Sequence, residues 1–211
     1  MNIHRIVTGP FQTNCYIASN DQGQCLVVDP GDEAERIDTA INELDLTVIA
    51  YPTTHGHVDH VGKLAEMRRR HEAPIGMHPL DAAWAFSPEN ALPPWFEAPE
   101  NPGTIERKYE DGQTWEDGNM PYNILFVPGH SPGSVAFYFE SEGILLAGDT
   151  LFQGSIGRLD LPGGNEADML KTLARLMELP DDTRVLPGHG NETTIGLEKR
   201  SNMFILQYGL A

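Results

Sequence analysis

The chain has 211 residues, a length at which one α/β domain is ordinary and a core forms without disulfides or a structural metal. Its formal net charge at pH 7 is −17, from 31 acidic and 14 basic residues, a balance that repels phosphate backbones and anionic membranes. We therefore expect no nucleic-acid or membrane partner. The first residues lack a signal-peptide pattern, and no run approaches the ~18 apolar residues of a membrane span, so we expect a cytoplasmic protein.

Short strands and helices alternate along the first half. The pattern predicts strands at residues 3–7, 14–18 and 25–28, a helix at 32–44, a strand at 46–51, a helix at 58–71 and a strand at 74–77. Residues 88–103 hold five prolines, which exclude a regular helix or central strand, so we expect a long loop. Trp95 and Phe96 in this loop would either wall the site or pack against the body of the protein. Cys15 and Cys25 match no metal-finger spacing and are predicted to be small buried apolar residues.

The second half repeats this arrangement. Asp111-Gly112 and Asp117-Gly118 are typical of hairpin turns. Strands are predicted at 122–127, 134–139 and 144–147, then a glycine-rich excursion at 154–164, a helix at 166–179, a strand at 183–186 and a helix at 196–208. Strands followed by a helix, twice over, indicate two α/β halves packed as one domain over residues 1–211.

The segment 53–60, directly after the fourth predicted strand, concentrates potential metal ligands. It contains His55, His57, Asp59 and His60. His55 and His57 are two residues apart, so on an extended backbone both side chains point to one side. Neutral imidazole and carboxylate are the ligand types that hold zinc and similar cations. The cluster therefore predicts a metal site.

Three further segments each place a potential ligand in a proline or glycine turn after a strand. The residues are His130, Asp149 and His189. Loops at strand ends are where scaffolds usually position chemistry. Together with the first cluster they make five histidines and two aspartates, enough for two adjacent cations with open coordination positions.

This ligand pattern resembles the metallo-β-lactamase superfamily, and within it the glyoxalase II (hydroxyacylglutathione hydrolase) branch. Four other segments resemble that branch, namely residues 11–16, 28–31, 148–152 and 154–158. The resemblance implies an α/β (α+β) fold, a four-layer αββα sandwich, with the site at one edge between the ends of two sheets. Full-length members have a further C-terminal helical region, but only 22 residues (211 − 189) follow His189, so the chain resembles the short, single-domain form.

The resemblance also implies the role of each ligand. The first metal would be bound by His55, His57 and His130. The second metal would be bound by Asp59, His60 and His189. Asp149 would bridge both, and Asp59 and Asp149 would be the catalytic carboxylates.

Two more residues have implied or suggested roles. Asp29 resembles the family's aspartate that supports the histidine loop from behind, although an Asp-Pro-Gly turn would also explain it. Arg158 could meet a substrate carboxylate, or pair with Asp160.

The implied activity is hydrolysis of an acyl-thioester such as S-D-lactoylglutathione, a small-molecule substrate. The implied cofactor is two Zn²⁺, with iron or manganese as alternatives in either position. A metal-bridging hydroxide would attack the acyl carbon, and a cation would stabilise the oxyanion.

Other functions stay open at this point. One is a persulfide dioxygenase with a single iron, which would leave His60 and His189 without metal. Another is a lactone hydrolase with the same seven ligands. A true β-lactamase is disfavoured because Asp149 stands where that branch has cysteine or no bridging ligand. The charge of −17 opposes a nuclease, and the intact ligand set opposes a binding module without turnover.

Overall fold

Two six-stranded sheets pack face to face in the computed structural model, which describes residues 1–210. The first sheet contains, in order, β1 (Asn2–Thr8), β2 (Thr13–Ser19), β3 (Gln24–Val28), β4 (Thr47–Pro52), β5 (Ile75–Met77) and β6 (Arg107–Lys108). The strands of the second are β7 (Thr114–Asp117), β8 (Met120–Phe126), β9 (Val135–Phe139), β10 (Ile144–Gly148), β13 (Arg184–Pro187) and β14 (Thr193–Thr194). A small ribbon pairs β11 (Leu151–Phe152) with β12 (Ser155–Ile156).

Helices cover the outer face of each sheet. They are α1 (Ala34–Glu43), α2 (Val58–Val61), α3 (Leu64–Arg70), α4 (Pro79–Ala82), α5 (Glu166–Leu176), α6 (Ile195–Ser201) and α7 (Met203–Gln207). Two short 3₁₀ turns lie at Pro88–Asn90 and Glu140–Glu142. Among these helices of residues 1–210, none is both long enough and apolar enough to cross a membrane.

Alternation of buried side chains along the strands produces the four layers. In β2, Tyr16 faces the other sheet, whereas Cys15 and Ile17 face the helices α1 and α3. In β9, Phe137 faces the other sheet and Ala136 faces the helical layer of α5. Because both faces of these strands are covered, the strands are apolar throughout. The predicted αββα sandwich is confirmed.

The predicted role of the two cysteines is also confirmed. Cys15 and Cys25 are free thiols, fully buried between the first sheet and its helices. Burial raises the pKa of Cys25 to about 12, so this thiol stays protonated and unreactive at neutral pH.

Two predicted helices are each broken into two in the structure. The segment 58–71 forms α2 and α3, separated at Gly62, where an added Cβ would lie 2.6 Å from the carbonyl oxygen of Gly31. The segment 196–208 forms α6 and α7, separated at Asn202, whose side chain accepts a hydrogen bond from the N–H of Phe204 and caps α7.

One of the two predicted hairpins is wrong. Gly118 and Asn119 both have positive φ and close the β7–β8 hairpin, as expected for a two-residue turn. Asp111-Gly112 instead lies on the connection from β6 in one sheet to β7 in the other. Six short elements had no prediction, because they are too brief to show a periodic pattern: α4, β6, β7, β11, β12 and β14.

The two sheets are joined at one edge. Thr13 forms an isolated antiparallel bridge with His189, and the N–H of Asn14 donates to the carbonyl of Gly188 at 2.7 Å. The segments after β4, β8, β10 and β13 all come to this edge, since the side chains that they carry meet there. The fold thus places four predicted ligand segments together.

Candidate metal centre

The structure brings all seven predicted ligand side chains together as two groups of three with one residue between them. In each group the candidate ligand atoms lie within 4.8 Å of one another. The first trio is His55, His57 and His130, and the second trio is Asp59, His60 and His189.

Asp149 lies between the two trios. Its Oδ2 is 3.6 Å from His130 Nε2 in the first trio and 3.3 Å from His189 Nε2 in the second. Its Oδ1 is 3.4 Å from His60 Nε2. A carboxylate in this position would be able to contact a cation at either trio.

Local backbone geometry orients the segment 53–60. His57 is extended, with φ −63° and ψ 145°, and α2 begins at the next residue. The helical turn brings Asp59 and His60 back toward the point where the extended part ends. His55 and His57 therefore contribute to the first trio, and Asp59 and His60 to the second.

Three histidines are oriented by hydrogen bonds at Nδ1. His130 donates to the carbonyl of Arg158 at 2.8 Å, and His189 donates to the carbonyl of Phe11 at 3.0 Å. His60 Nδ1 lies 2.9 Å from Asp29 Oδ2. Because these acceptors hold a proton on Nδ1, Nε2 is the nitrogen that faces the centre and the one that would bind a cation once it carries no proton.

Asp29 lies behind the histidine loop, where the resemblance places it. It is buried and accepts hydrogen bonds from the N–H and hydroxyl of Thr54 at 2.8 and 2.6 Å, in addition to His60. Its φ of +54° shows that it also forms a tight turn. Asp29 therefore both supports the histidine loop and forms the Asp-Pro-Gly turn. Since protein donors already occupy its oxygens, it supports His60 and is not a candidate ligand.

Two supporting residues were missed from the sequence. Thr13 donates its hydroxyl proton to Asp59 Oδ2 at 3.0 Å. Asp81, which is fully buried, accepts from the N–H of Gly56 at 2.8 Å, the hydroxyl of Ser131 at 2.6 Å and the N–H of Gly133 at 2.6 Å. It therefore connects the loop of His55 and His57 to the loop of His130. In the sequence Asp81 lies outside every predicted element, and no local signal reveals its distant partners.

The charges of the two trios differ. Burial, together with the neighbouring His130, lowers the pKa of His57 to about 4. Burial also lowers the pKa of His55 well below its usual range. In the second trio burial opposes a charge on His189, but its hydrogen bonds to Asp149 and Asp59 raise its pKa to about 9. His55 and His57 are therefore neutral at pH 7, whereas His189 is a cation.

The donor set fits divalent cations. Within residues 1–210, His55 Nε2 and Asp149 Oδ1 are buried and have no hydrogen-bond partner. Leaving such atoms unpaired costs about 1–3 kcal/mol each, a cost that a bound cation removes. Two nitrogens on one tetrahedral zinc lie ~3.3 Å apart for bonds of ~2.05 Å, close to the 3.4 Å between His60 Nε2 and His189 Nε2.

Arg158 is placed differently from the predicted substrate contact. Its guanidinium forms two hydrogen bonds with Asp160, at 2.7 and 2.8 Å, and the side chain is exposed. Its carbonyl, and not its guanidinium, serves the centre by orienting His130. A role for the Arg158 side chain in binding substrate stays a prediction.

The proline-rich loop lies beside the centre. Asn90 donates to the carbonyl of Gly56, between His55 and His57, at 2.7 Å. The ring of Phe96 contacts Phe11, with 5.3 Å between centroids. These contacts pack the loop against the body of the protein beside the centre, and its role as a wall of the site stays a prediction.

Comparison with known proteins shows to which family the chain is similar. The sequence profile of the metallo-beta-lactamase superfamily matches residues 8–189. A probable metallo-hydrolase of Bacillus subtilis is 37% identical over 216 residues, covering 100% of both chains. A hydroxyacylglutathione hydrolase of Haemophilus influenzae is 36% identical over 210 residues, covering 97% of this chain and 98% of the relative.

Two solved structures have folds similar to that of this chain. The crystal structure of the B3 metallo-beta-lactamase BLEG-1 has a TM-score of 0.91 and 34% identity, covering 97% of this chain and 99% of that one. A crystal structure of another protein in a di-iron-bound form has a TM-score of 0.84 and 38% identity, covering 95% and 99% of the two chains. The chain therefore belongs to the metallo-beta-lactamase superfamily.

Proposed function

We propose that the protein is a metal-dependent hydrolase of acyl-thioesters, with S-D-lactoylglutathione or a similar hydroxyacylglutathione as substrate. The observation that carries this proposal is the position of Asp149 between two trios of ligands, with its buried Oδ1 lacking a hydrogen-bond partner. The similarity to a hydroxyacylglutathione hydrolase and a probable metallo-hydrolase supports it.

The residues present would hold two divalent cations, zinc or alternatively iron or manganese, one at each trio. Such cations, when bound, lower the pKa of a coordinated water to about 7 and polarise a carbonyl oxygen. The chain orients His60, His130 and His189 through their Nδ1 atoms and holds Asp59 through Thr13. This prior orientation reduces the reorganisation needed during the reaction.

The arrangement suits a thioester better than an amide. Hydrolysis forms a bond from the water oxygen to the acyl carbon and breaks the carbon–sulfur bond, and the sulfur leaves with the electron pair. Since a thiol has a pKa of about 8.5, the thiolate needs no dedicated general acid. An amine leaving group would need a proton donor at the scissile bond.

Two alternatives give different outcomes in a substrate panel. A persulfide dioxygenase with one iron would not use His60 and His189 as ligands, whereas the 3.4 Å between their Nε2 atoms and the 3.2 Å from His189 Nε2 to Asp59 Oδ2 support a second cation. A lactone hydrolase would use the same centre. Because a B3 metallo-beta-lactamase has a similar structure, the panel also needs a β-lactam.

The proposal is tested by thiol release from S-D-lactoylglutathione, measured with a thiol-reactive chromophore. We expect turnover by the wild type and a loss of about 100-fold or more in kcat for Asp149→Asn, since a group at the reacting centre typically contributes that much. The matched control is Asp182→Asn, which changes an exposed carboxylate that belongs to neither trio.

Two results would contradict the proposal. No thiol release by wild-type protein carrying two cations would exclude the thioesterase activity. Normal turnover by Asp149→Asn would exclude the bridging role of Asp149 while leaving the activity. A small-molecule partner and a cytoplasmic location stay predictions.

A further inference from the structure

Three aromatic side chains form an exposed surface that the proposed chemistry does not use. Phe11, Trp95 and Phe96 are in contact, with ring centroids 5.3 Å apart for Phe11–Phe96 and 6.4 Å for Phe11–Trp95. We call them the aromatic lip. Phe11 is 38% exposed and Trp95 is 60% exposed, although both are large and apolar. Exposed apolar groups that cluster together, and are not scattered singly, mark binding surfaces.

The aromatic lip is attached to the metal centre. The carbonyl of Phe11 accepts the hydrogen bond from His189 Nδ1 of the second trio. The loop that carries the other two rings is held by Asn90, which donates to the carbonyl of Gly56 beside the first trio. The segments that carry the lip therefore form hydrogen bonds with His189 of the second trio and with the loop that carries His55 and His57.

The backbone of the loop presents Trp95 outward. Leu92 and Phe96 exchange two backbone hydrogen bonds of 2.9 Å each, which closes a tight turn around Trp95. This closed turn restricts the backbone at Trp95, whose ring stays largely exposed. Because the backbone is already restricted, ordering it costs little conformational entropy when a ligand binds.

The charges around the lip identify which part of a thioester it suits. Residues 6–35 and 72–106, which include all three rings, contain no lysine or arginine. Glu89 and Glu97 are exposed in the same loop. Arg158, on the segment after Asp149, is paired with Asp160. The segments that carry the lip therefore present carboxylates and no lysine or arginine of their own to the anionic carboxylates of a glutathione moiety, so the lip suits the acyl side.

We propose that the aromatic lip binds an apolar group on the acyl side of the substrate, so that hydroxyacyl thioesters with an aromatic substituent are preferred over lactoyl. This inference rests on the proposed thioesterase function and specifies its substrate class. It assigns specificity to Phe11 and Trp95, which orient no candidate ligand through their side chains.

The test compares S-D-mandeloylglutathione with S-D-lactoylglutathione, which differ by a phenyl for a methyl group and share the same thiol. We expect the wild-type kcat/KM to be about tenfold or more higher for mandeloyl, the discrimination usual for extra apolar contact. Phe11→Ala and Trp95→Ala should lower this ratio toward one. Met203→Ala, which removes an apolar side chain that is 75% exposed on α7, is the matched control and should leave the ratio unchanged.

A binding measurement without turnover separates failure of this inference from failure of the proposed function. S-benzylglutathione should bind the wild type about tenfold more tightly than S-methylglutathione by calorimetry, and Phe11→Ala should abolish the difference. If neither thioester is cleaved but benzyl selectivity depends on Phe11, the lip stands and the thioesterase function is wrong. Equal kcat/KM for both thioesters in the wild type, unchanged in Phe11→Ala, would overturn the inference.

Discussion

Replacing Asp81 with alanine tests whether one buried carboxylate holds the two histidine loops together. The change removes the acceptor for three donors, the N–H groups of Gly56 and Gly133 and the hydroxyl of Ser131. Ser131 retains a partner, because its hydroxyl also lies 2.6 Å from that of Ser134. The two N–H groups lose theirs.

The magnitude follows from these two groups. An unsatisfied buried N–H costs about 1–3 kcal/mol, so two cost about 2–6 kcal/mol. The pKa of the Asp81 carboxyl is raised, because burial outweighs the opposing effect of its hydrogen bonds. A negative charge at this position is therefore unfavourable. Removing that charge offsets part of the loss. We therefore expect Asp81→Ala to lower the free energy of unfolding by about 2–4 kcal/mol.

The assay is urea unfolding of chelator-treated protein, followed by zinc titration of the folded fraction. Asp81→Asn keeps one acceptor oxygen and should lose less stability than Asp81→Ala, whereas Asp182→Ala should lose almost none. Zinc affinity of the first trio should fall in Asp81→Ala, because His57 and His130 lie on the two loops that Asp81 connects. If the unfolding free energy of Asp81→Ala lies within ~0.5 kcal/mol of wild type, the range of neutral surface substitutions, Asp81 does not hold the two loops together.

The remaining predictions concern the titration of His189, whose pKa of about 9 reflects its hydrogen bonds to Asp149 and Asp59 despite burial. At pH 7.5 a cation must displace its proton, so zinc uptake should release protons and zinc affinity should rise as pH increases toward about 9. Calorimetry in buffers of different ionisation enthalpy measures the release, and its absence would contradict the assignment. In the metal-free protein, the pairing of protonated His189 stabilises the fold fully below ~6.5 and this contribution is lost as pH rises through about 9, which pH-dependent urea unfolding measures.

The layered fold could be predicted because its signals are local. Apolar residues on both faces of β2 and β3 require cover on both sides, and turn residues mark where each strand ends. The break at Gly62 could not be predicted in this way. The N–H of the next residue, Lys63, donates to the carbonyl of Pro30, 33 residues earlier in the chain (63 − 30 = 33), whereas the sequence around Gly62 alone continues a helical pattern.

At the metal centre too, local patterns could be predicted from the sequence and contacts between distant residues could not. The spacing of His55, His57, Asp59 and His60 is a local pattern, so the ligand cluster was visible in the sequence. The role of Asp81 was not visible, because its partners belong to two loops that only the folded chain brings together.

The central claim is that seven side chains hold two cations, and a count of bound metal tests it most directly. Purified protein, reconstituted with zinc and freed of excess metal by gel filtration, is analysed by mass spectrometry of the intact chain and by elemental analysis. We expect two divalent cations per chain, one at each trio. A single iron per chain, with no uptake of a second cation at Asp59, His60 and His189, would contradict it.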